Sequence, residues 1–129
     1  MKKYLLETSV IINFFRGKKE AIETLGKLEG EITSSFVCLA ELYEGIFRVK
    51  ERNAVEKEIL DFFSSLSEVY GIDRKIAKAF GKIRKELKEK GKVIEDLDIL
   101  LGATCLAHNL VLVTSNLAHF RRIPGLKIF

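Results

Sequence analysis

The chain has 129 residues, 47% of them hydrophobic, with one Pro and no Trp. That length supports one domain with a real core, and that apolar content excludes a disordered chain. The net charge of +4 is compatible with a polyanionic partner without establishing one, and no run approaches the roughly 20 apolar residues of a membrane helix.

In chain order, Lys3 to Leu6 reads as a first strand and Thr8 to Phe15 as a short helix closed by Gly17, with Thr8 or Ser9 as its cap. Lys19 to Glu29 suits a second helix, with Ile22, Leu25 and Leu28 on one face and Gly30 as its stop. Glu31 to Ser34 is a brief strand, and Ser34 or Ser35 can cap a helix from Phe36 to Val49. Glu51 to Leu66 is amphipathic through Val55, Ile59, Phe62, Phe63 and Leu66, and Glu68 to Gly71 is a third short strand. A long helix follows from Asp73 to Lys90, striped by Ile76, Phe80, Ile83 and Leu87.

Glu95 to His108 ("LDILLGATCLA" at its centre) is apolar nearly all round, as expected of a helix buried in mid-domain. "LVLVT" then reads as a buried strand and "LKIF" as a last edge strand. Strands separated by helical crossovers imply a mainly parallel sheet covered on both faces. The expected fold is a three-layer α/β/α domain spanning residues 1 to 129.

Cys38 and Cys105 stand alone in apolar sequence and read as reduced core residues, and His108 and His119 lack a zinc-ligand pattern. No signal-like segment precedes the first strand, so the expected location is cytoplasmic. The chain has no Gln and is rich in Lys and Glu, a composition that resembles thermophile proteins. Nine Lys or Arg against three acids lie between Gly71 and Lys92. There Lys75, Lys78, Lys82 and Lys85 form a basic helix face, either a solvated surface or a contact for a polyanion.

In open parallel sheets, function collects at the carboxyl ends of the strands. Glu7 closes the first strand, Glu41 lies in the helix after the second, and Asp96 and Asp98 open the buried helix. A charge set among core residues costs free energy unless it is paired or binds a cation. Each acid also has an ordinary reading: Glu7 leaving into solvent, Glu41 on an exposed helix face, Asp96 or Asp98 as a helix cap. Asn116, after "LVLVTS", can cap a short turn from Leu117 to Phe120. The topology brings all of them toward one sheet edge.

The order "LLETSVIINFFRG", "SSFVCLAELYEG", "DLDILLGATCLAHNLVLVTSNLAHFRRIPGL" resembles the PIN-domain ribonucleases, specifically VapC-type toxins, over nearly the whole chain. By that resemblance Glu7 stands at the family's first Asp, Glu41 at its central acid and Asp98 at its third. Thr114 and Asn116 fall in its T-x-N/D element, Ser9 matches a supporting hydroxyl, and Asp96 is a further carboxylate nearby. The resemblance implies Mg²⁺ or Mn²⁺ as cofactor, RNA as substrate, a homodimer, and a VapB-like antitoxin as partner. Arg16, with Lys82 and Lys85, would meet RNA phosphates.

Mg²⁺ takes oxygen ligands, often one or two carboxylates plus water and substrate phosphate. Glu7, Glu41 and Asp98 are therefore expected to approach one another to about 4–6 Å. Two positions depart from the pattern. Glu7 replaces Asp and is longer by about 1.5 Å, one C–C bond. His119 replaces the Asp expected before Phe120. These departures motivate a second reading, a catalytically impaired PIN domain that binds RNA or protein. A phospho-acceptor receiver domain shares the layout, but the chain lacks its acidic pair after the first strand and its Lys-Pro.

Overall fold

Four strands and seven helices follow one another in the computed structural model, which describes residues 1–129. They are β1 (Lys3–Leu6), α1 (Thr8–Phe15), α2 (Lys19–Gly26), β2 (Glu31–Ser35), α3 (Phe36–Ile46), α4 (Arg52–Ser64), β3 (Glu68–Tyr70), α5 (Arg74–Glu89), α6 (Asp96–His108), β4 (Val111–Val113) and α7 (Leu117–Phe120). The strands form one all-parallel sheet in the order β3-β2-β1-β4. Steps from β1 to β2 to β3 run one way and the step to β4 runs back. Right-handed crossovers then put α1 to α4 over one face and α5 and α6 over the other. This is the expected α/β/α layering.

The central strand explains its own position. Tyr4, Leu5 and Leu6 are all buried, as in a strand covered on both faces. Leu5 pairs with Thr33 of β2 and Leu6 with Val113 of β4. On one face Phe14 and Phe15 of α1 pack against Phe62 of α4, with centroids 5.8 and 5.3 Å apart. On the other, α5 buries Ile76, Ile83 and Leu87, and α6 buries Ile99, Leu101, Ala103 and Cys105. Leu97 and Leu106 of α6 remain partly exposed, so its cover is less than all round.

Several element ends differ from the sequence expectations. α2 stops at Gly26, where the poorest helix former after Pro sits in the last turn, and its buried residue is Ala21 rather than Ile22. α3 ends at Ile46, because Arg48 and Val49 donate to the carbonyls of Gly45 and Ile46, three residues back, which tightens and closes the helix. The "LKIF" segment forms a single parallel bridge, Leu112 to Ile128, instead of a strand. Two hydrogen bonds hold it: Leu112 N–H to Lys127 O and Phe129 N–H to Leu112 O, both 2.9 Å. At Gly30 a side chain is excluded, since a Cβ there would lie 2.2 Å from the Lys2 carbonyl oxygen. No helix is long and apolar enough to cross a membrane.

Candidate active site

Strand order reverses around β1, whose neighbours are β2 and β4. The crevice at the carboxyl ends of such strands is where open α/β sheets bind ligands. Glu7 follows β1 there and extends the ladder by donating its N–H to Val113 O at 2.9 Å. Glu7 is buried, and it is itself the N-cap of α1 in place of the expected Thr8 or Ser9. Its Oε2 accepts from Ser9 N–H at 3.0 Å, and its Oε1 accepts from the hydroxyls of Ser9 and Thr114, both at 2.5 Å. Ser9 Oγ also accepts from Ser115 N–H at 3.0 Å. The longer Glu thus folds back onto its own helix, doing what a capping Asp does.

Glu41 and Asp98 face the same crevice. Thr8 is turned away from capping and donates its hydroxyl to Glu41 Oε1 at 2.6 Å. Burial raises the Glu41 carboxyl above its ordinary value, the Thr8 hydrogen bond opposes this, and the charges of Glu7, Asp98 and Glu95 add to it. Asp98 is likewise raised by burial, against the His119 hydrogen bond, with Glu7 and Glu95 adding repulsion. Three acids from three elements therefore act on one another electrostatically.

His119 Nδ1 lies 3.3 Å from Asp98 Oδ2 and 2.9 Å from the Asn116 side-chain amide. With Nδ1 protonated the ring donates to Asp98 and Asn116 turns its amide oxygen inward; with Nδ1 bare the Asn116 amino group donates instead. Asn116 does not cap α7 with its side chain, and its N–H donates to Thr114 Oγ1 at 2.9 Å.

Other expected residues lie elsewhere. Asp96 pairs with Arg84 of α5, at 2.9 Å, and lines a shallow cavity with Glu95 and His119. The further carboxylate whose charge acts on Glu41 and Asp98 is Glu95, the exposed N-cap of α6, which sequence reasoning missed. Glu95 stands three residues before Asp98, one helical turn away, and that spacing was the available signal. Thr8, a candidate cap from its sequence position, serves Glu41 instead. The pairs Arg84–Asp96 and Asp73–His108 show that α5 and α6 run antiparallel. Lys75 and Lys78 therefore sit at the end of α5 away from Asp98. Lys82 lines a separate cavity with Leu106 and Pro124, and Lys85 is paired with Glu89. Arg16 is exposed at the far end of α1, about 13.5 Å along the helix from Glu7 at the α-helical rise.

The donors are carboxylate and amide oxygens, a hard set suited to Mg²⁺ or Mn²⁺, and Cys38 is a buried thiol pushed up to about 12, chiefly by burial. As the side chains stand, no three His, Cys, Asp or Glu residues close on one metal position. Each acid is turned to a hydroxyl or ring of its own. Because Mg²⁺ needs only one or two carboxylates with water and phosphate, the donor chemistry still fits a hard divalent cation.

A three-layer domain with an acidic crevice at the switch point of a parallel sheet is the class that this fold and site define. The chain belongs to the PIN-domain family, whose model matches residues 4–126. It is 36% identical to Ribonuclease VapC1 of Methanocaldococcus jannaschii, covering 98% of this chain and 87% of that protein. It is 33% identical to the tRNA(fMet)-specific endonuclease VapC of Salmonella typhimurium, over 99% of this chain and 97% of that one. In structure it resembles a chain of VapBC2 from Rickettsia felis bound to a DNA fragment from its promoter. That match has TM-score 0.88 and 28% identity, over 98% of this chain and 97% of that one.

Proposed function

We propose that the chain is a divalent-metal-dependent endoribonuclease that hydrolyses RNA phosphodiesters. In this reading it is a VapC-like toxin, restrained by a small VapB-like antitoxin and acting in the cytoplasm as a homodimer. The observation that carries the reading is that Glu41 and Asp98 are costly to ionise, chiefly because they are buried and further because the charge of Glu7 acts on both. A divalent cation offsets that cost. Support comes from relatives named as ribonuclease and tRNA endonuclease, and from the likeness to a VapBC complex.

Asp98, Glu41 and Glu7 are the residues that would hold Mg²⁺ or Mn²⁺, with Asn116 reaching it through water. When bound, such an ion would polarise a phosphoryl oxygen and lower the pKa of an attacking water. The chain's own hydroxyls do the positioning: Ser9 and Thr114 fix Glu7, and Thr8 fixes Glu41. His119 holds Asp98 on the α7 side of the crevice.

A second reading is an impaired PIN domain that binds RNA or protein. It is favoured by one observation: both oxygens of Glu7 are already engaged by three protein donors. Cleavage of a mixed RNA pool in Mn²⁺, Mg²⁺ or EDTA separates the two. Cleavage that EDTA abolishes supports the enzyme, and binding without cleavage under any condition supports the module.

A further inference from the structure

Behind the Glu7 side of the crevice lies a second cavity, of about 290 Å³, that the metal chemistry does not use. It lies between the α1–α2 hairpin and the segment after β4, and its polar lining is Asn13, Lys18, Glu20, Thr24, Thr114 and Ser115. Val10, Ala21 and Leu117 supply its apolar walls. We propose that this cavity is a nucleobase subsite, which reads one unstacked base beside the scissile phosphate. This rests on the ribonuclease reading for its substrate.

Four observations carry it. The first is size: the cavity lies at the lower limit of small-molecule pockets, about 300 Å³, room for a single base and not for a longer stretch of chain. The second is position, because Thr114 lines the cavity and also donates to Glu7 Oε1. Ser115, the next residue, donates its N–H to Ser9 Oγ. The cavity and the acids thus share one wall, so a base seated here belongs to a nucleotide adjacent to the acids.

The third observation is the sign of the lining charges. A phosphate pocket gathers cations and backbone N–H groups, whereas this one sets Lys18 against Glu20. A carboxylate facing the cavity repels phosphate but accepts from an exocyclic amino group. The fourth is unused hydrogen-bonding capacity. Asn13 donates to Ser115 Oγ at 3.3 Å, which leaves its carbonyl oxygen and one N–H for a ligand. Single-stranded RNA is read in this way, with bases splayed out and bonded along their edges. An amino-bearing base satisfies Glu20 and Asn13 together, and uracil, lacking that amino group, does not.

The test is binding of hexamers of adenylate, cytidylate, guanylate and uridylate to the full chain in EDTA, with cleavage of the same RNAs in Mn²⁺ followed in parallel. The parent is expected to bind the uridylate hexamer weakest, by about fivefold or more against the best of the others, the lower range for one discriminating pair. Thr24→Tyr, which fills the cavity, should bring all four to within about twofold while weak backbone binding persists. Glu20→Ala, which removes the acceptor at an exposed position, gives the same collapse where Thr24→Tyr fails to fold. Equal binding of all four by the parent, or discrimination that survives both variants, overturns the subsite. Discrimination in EDTA, with no cleavage of these RNAs or of a mixed RNA pool in Mn²⁺ or Mg²⁺, upholds the subsite and rejects the ribonuclease reading.

Discussion

Thr114 donates its hydroxyl to Glu7 Oε1 at 2.5 Å, tying the residue after β4 to the residue after β1 across the switch point of the sheet. Ser9 donates to the same oxygen, so one carboxylate oxygen is the meeting point of two strand ends and a helix start. Removal of either hydroxyl leaves a buried carboxylate short of a partner. Thr114→Val should destabilise the fold by about 1.5–3 kcal/mol, the range for a hydrogen bond to a charged group. Ser9→Ala combined with it should be non-additive, because both act on Oε1. Denaturant unfolding of the two single variants and the double variant checks this.

Asp98→Asn should stabilise the metal-free chain while removing a metal ligand. The substitution keeps the shape and deletes a charge that burial and Glu7 both penalise. Thermal unfolding in EDTA should show a higher midpoint than the parent's, and added Mn²⁺ should raise the parent more than the variant. A lower midpoint in EDTA would mean that the Asp98 charge is already compensated, with His119 doing so.

The pH dependence has a definite sign. Asp98 and Glu41 are both raised by burial, so between their ordinary values near 4 and their raised folded values the folded chain binds more protons than the unfolded one. Their joint contribution to stability is therefore greatest at low pH, is lost as pH rises through that window, and is flat above it. The midpoint difference between Asp98→Asn and the parent, followed in EDTA from about pH 4 to about pH 7, should widen with pH. A difference that narrows would contradict it.

Glu7→Asp shortens the carboxylate to the length that resembling proteins carry. In the active reading, cleavage is preserved or increased. In the impaired reading, this variant alone brings cleavage to a chain that had none. Initial rates in Mn²⁺ and in Mg²⁺ tell the two apart.

Much of this arrangement was legible in the sequence because it depends on local pattern. The bounds of β1 and α1 follow from an apolar run, a carboxylate and two hydroxyls. The stripe of Ile76, Ile83 and Leu87 sets the register of α5. Side-chain pairing across the sheet was not legible. Nothing in local sequence tells Thr8 to serve Glu41, thirty-three residues on, rather than its own helix, or turns Asp96 to Arg84. Those choices are made when α3, α5 and α6 dock. Helix ends such as Ile46 failed for a related reason, since Val49 continues an apolar run that the backbone had already closed with short turns.

The most direct measurement is cleavage of a mixed RNA pool by the parent and by Asp98→Asn in Mn²⁺, in Mg²⁺ and in EDTA. The parent should cut in at least one ion and not in EDTA. Asp98→Asn should lose about 100-fold or more, as expected when a ligand of a catalytic cation is removed. No cleavage by the parent in either ion, or cleavage undiminished in EDTA, would contradict a metal-dependent ribonuclease built on Glu7, Glu41 and Asp98.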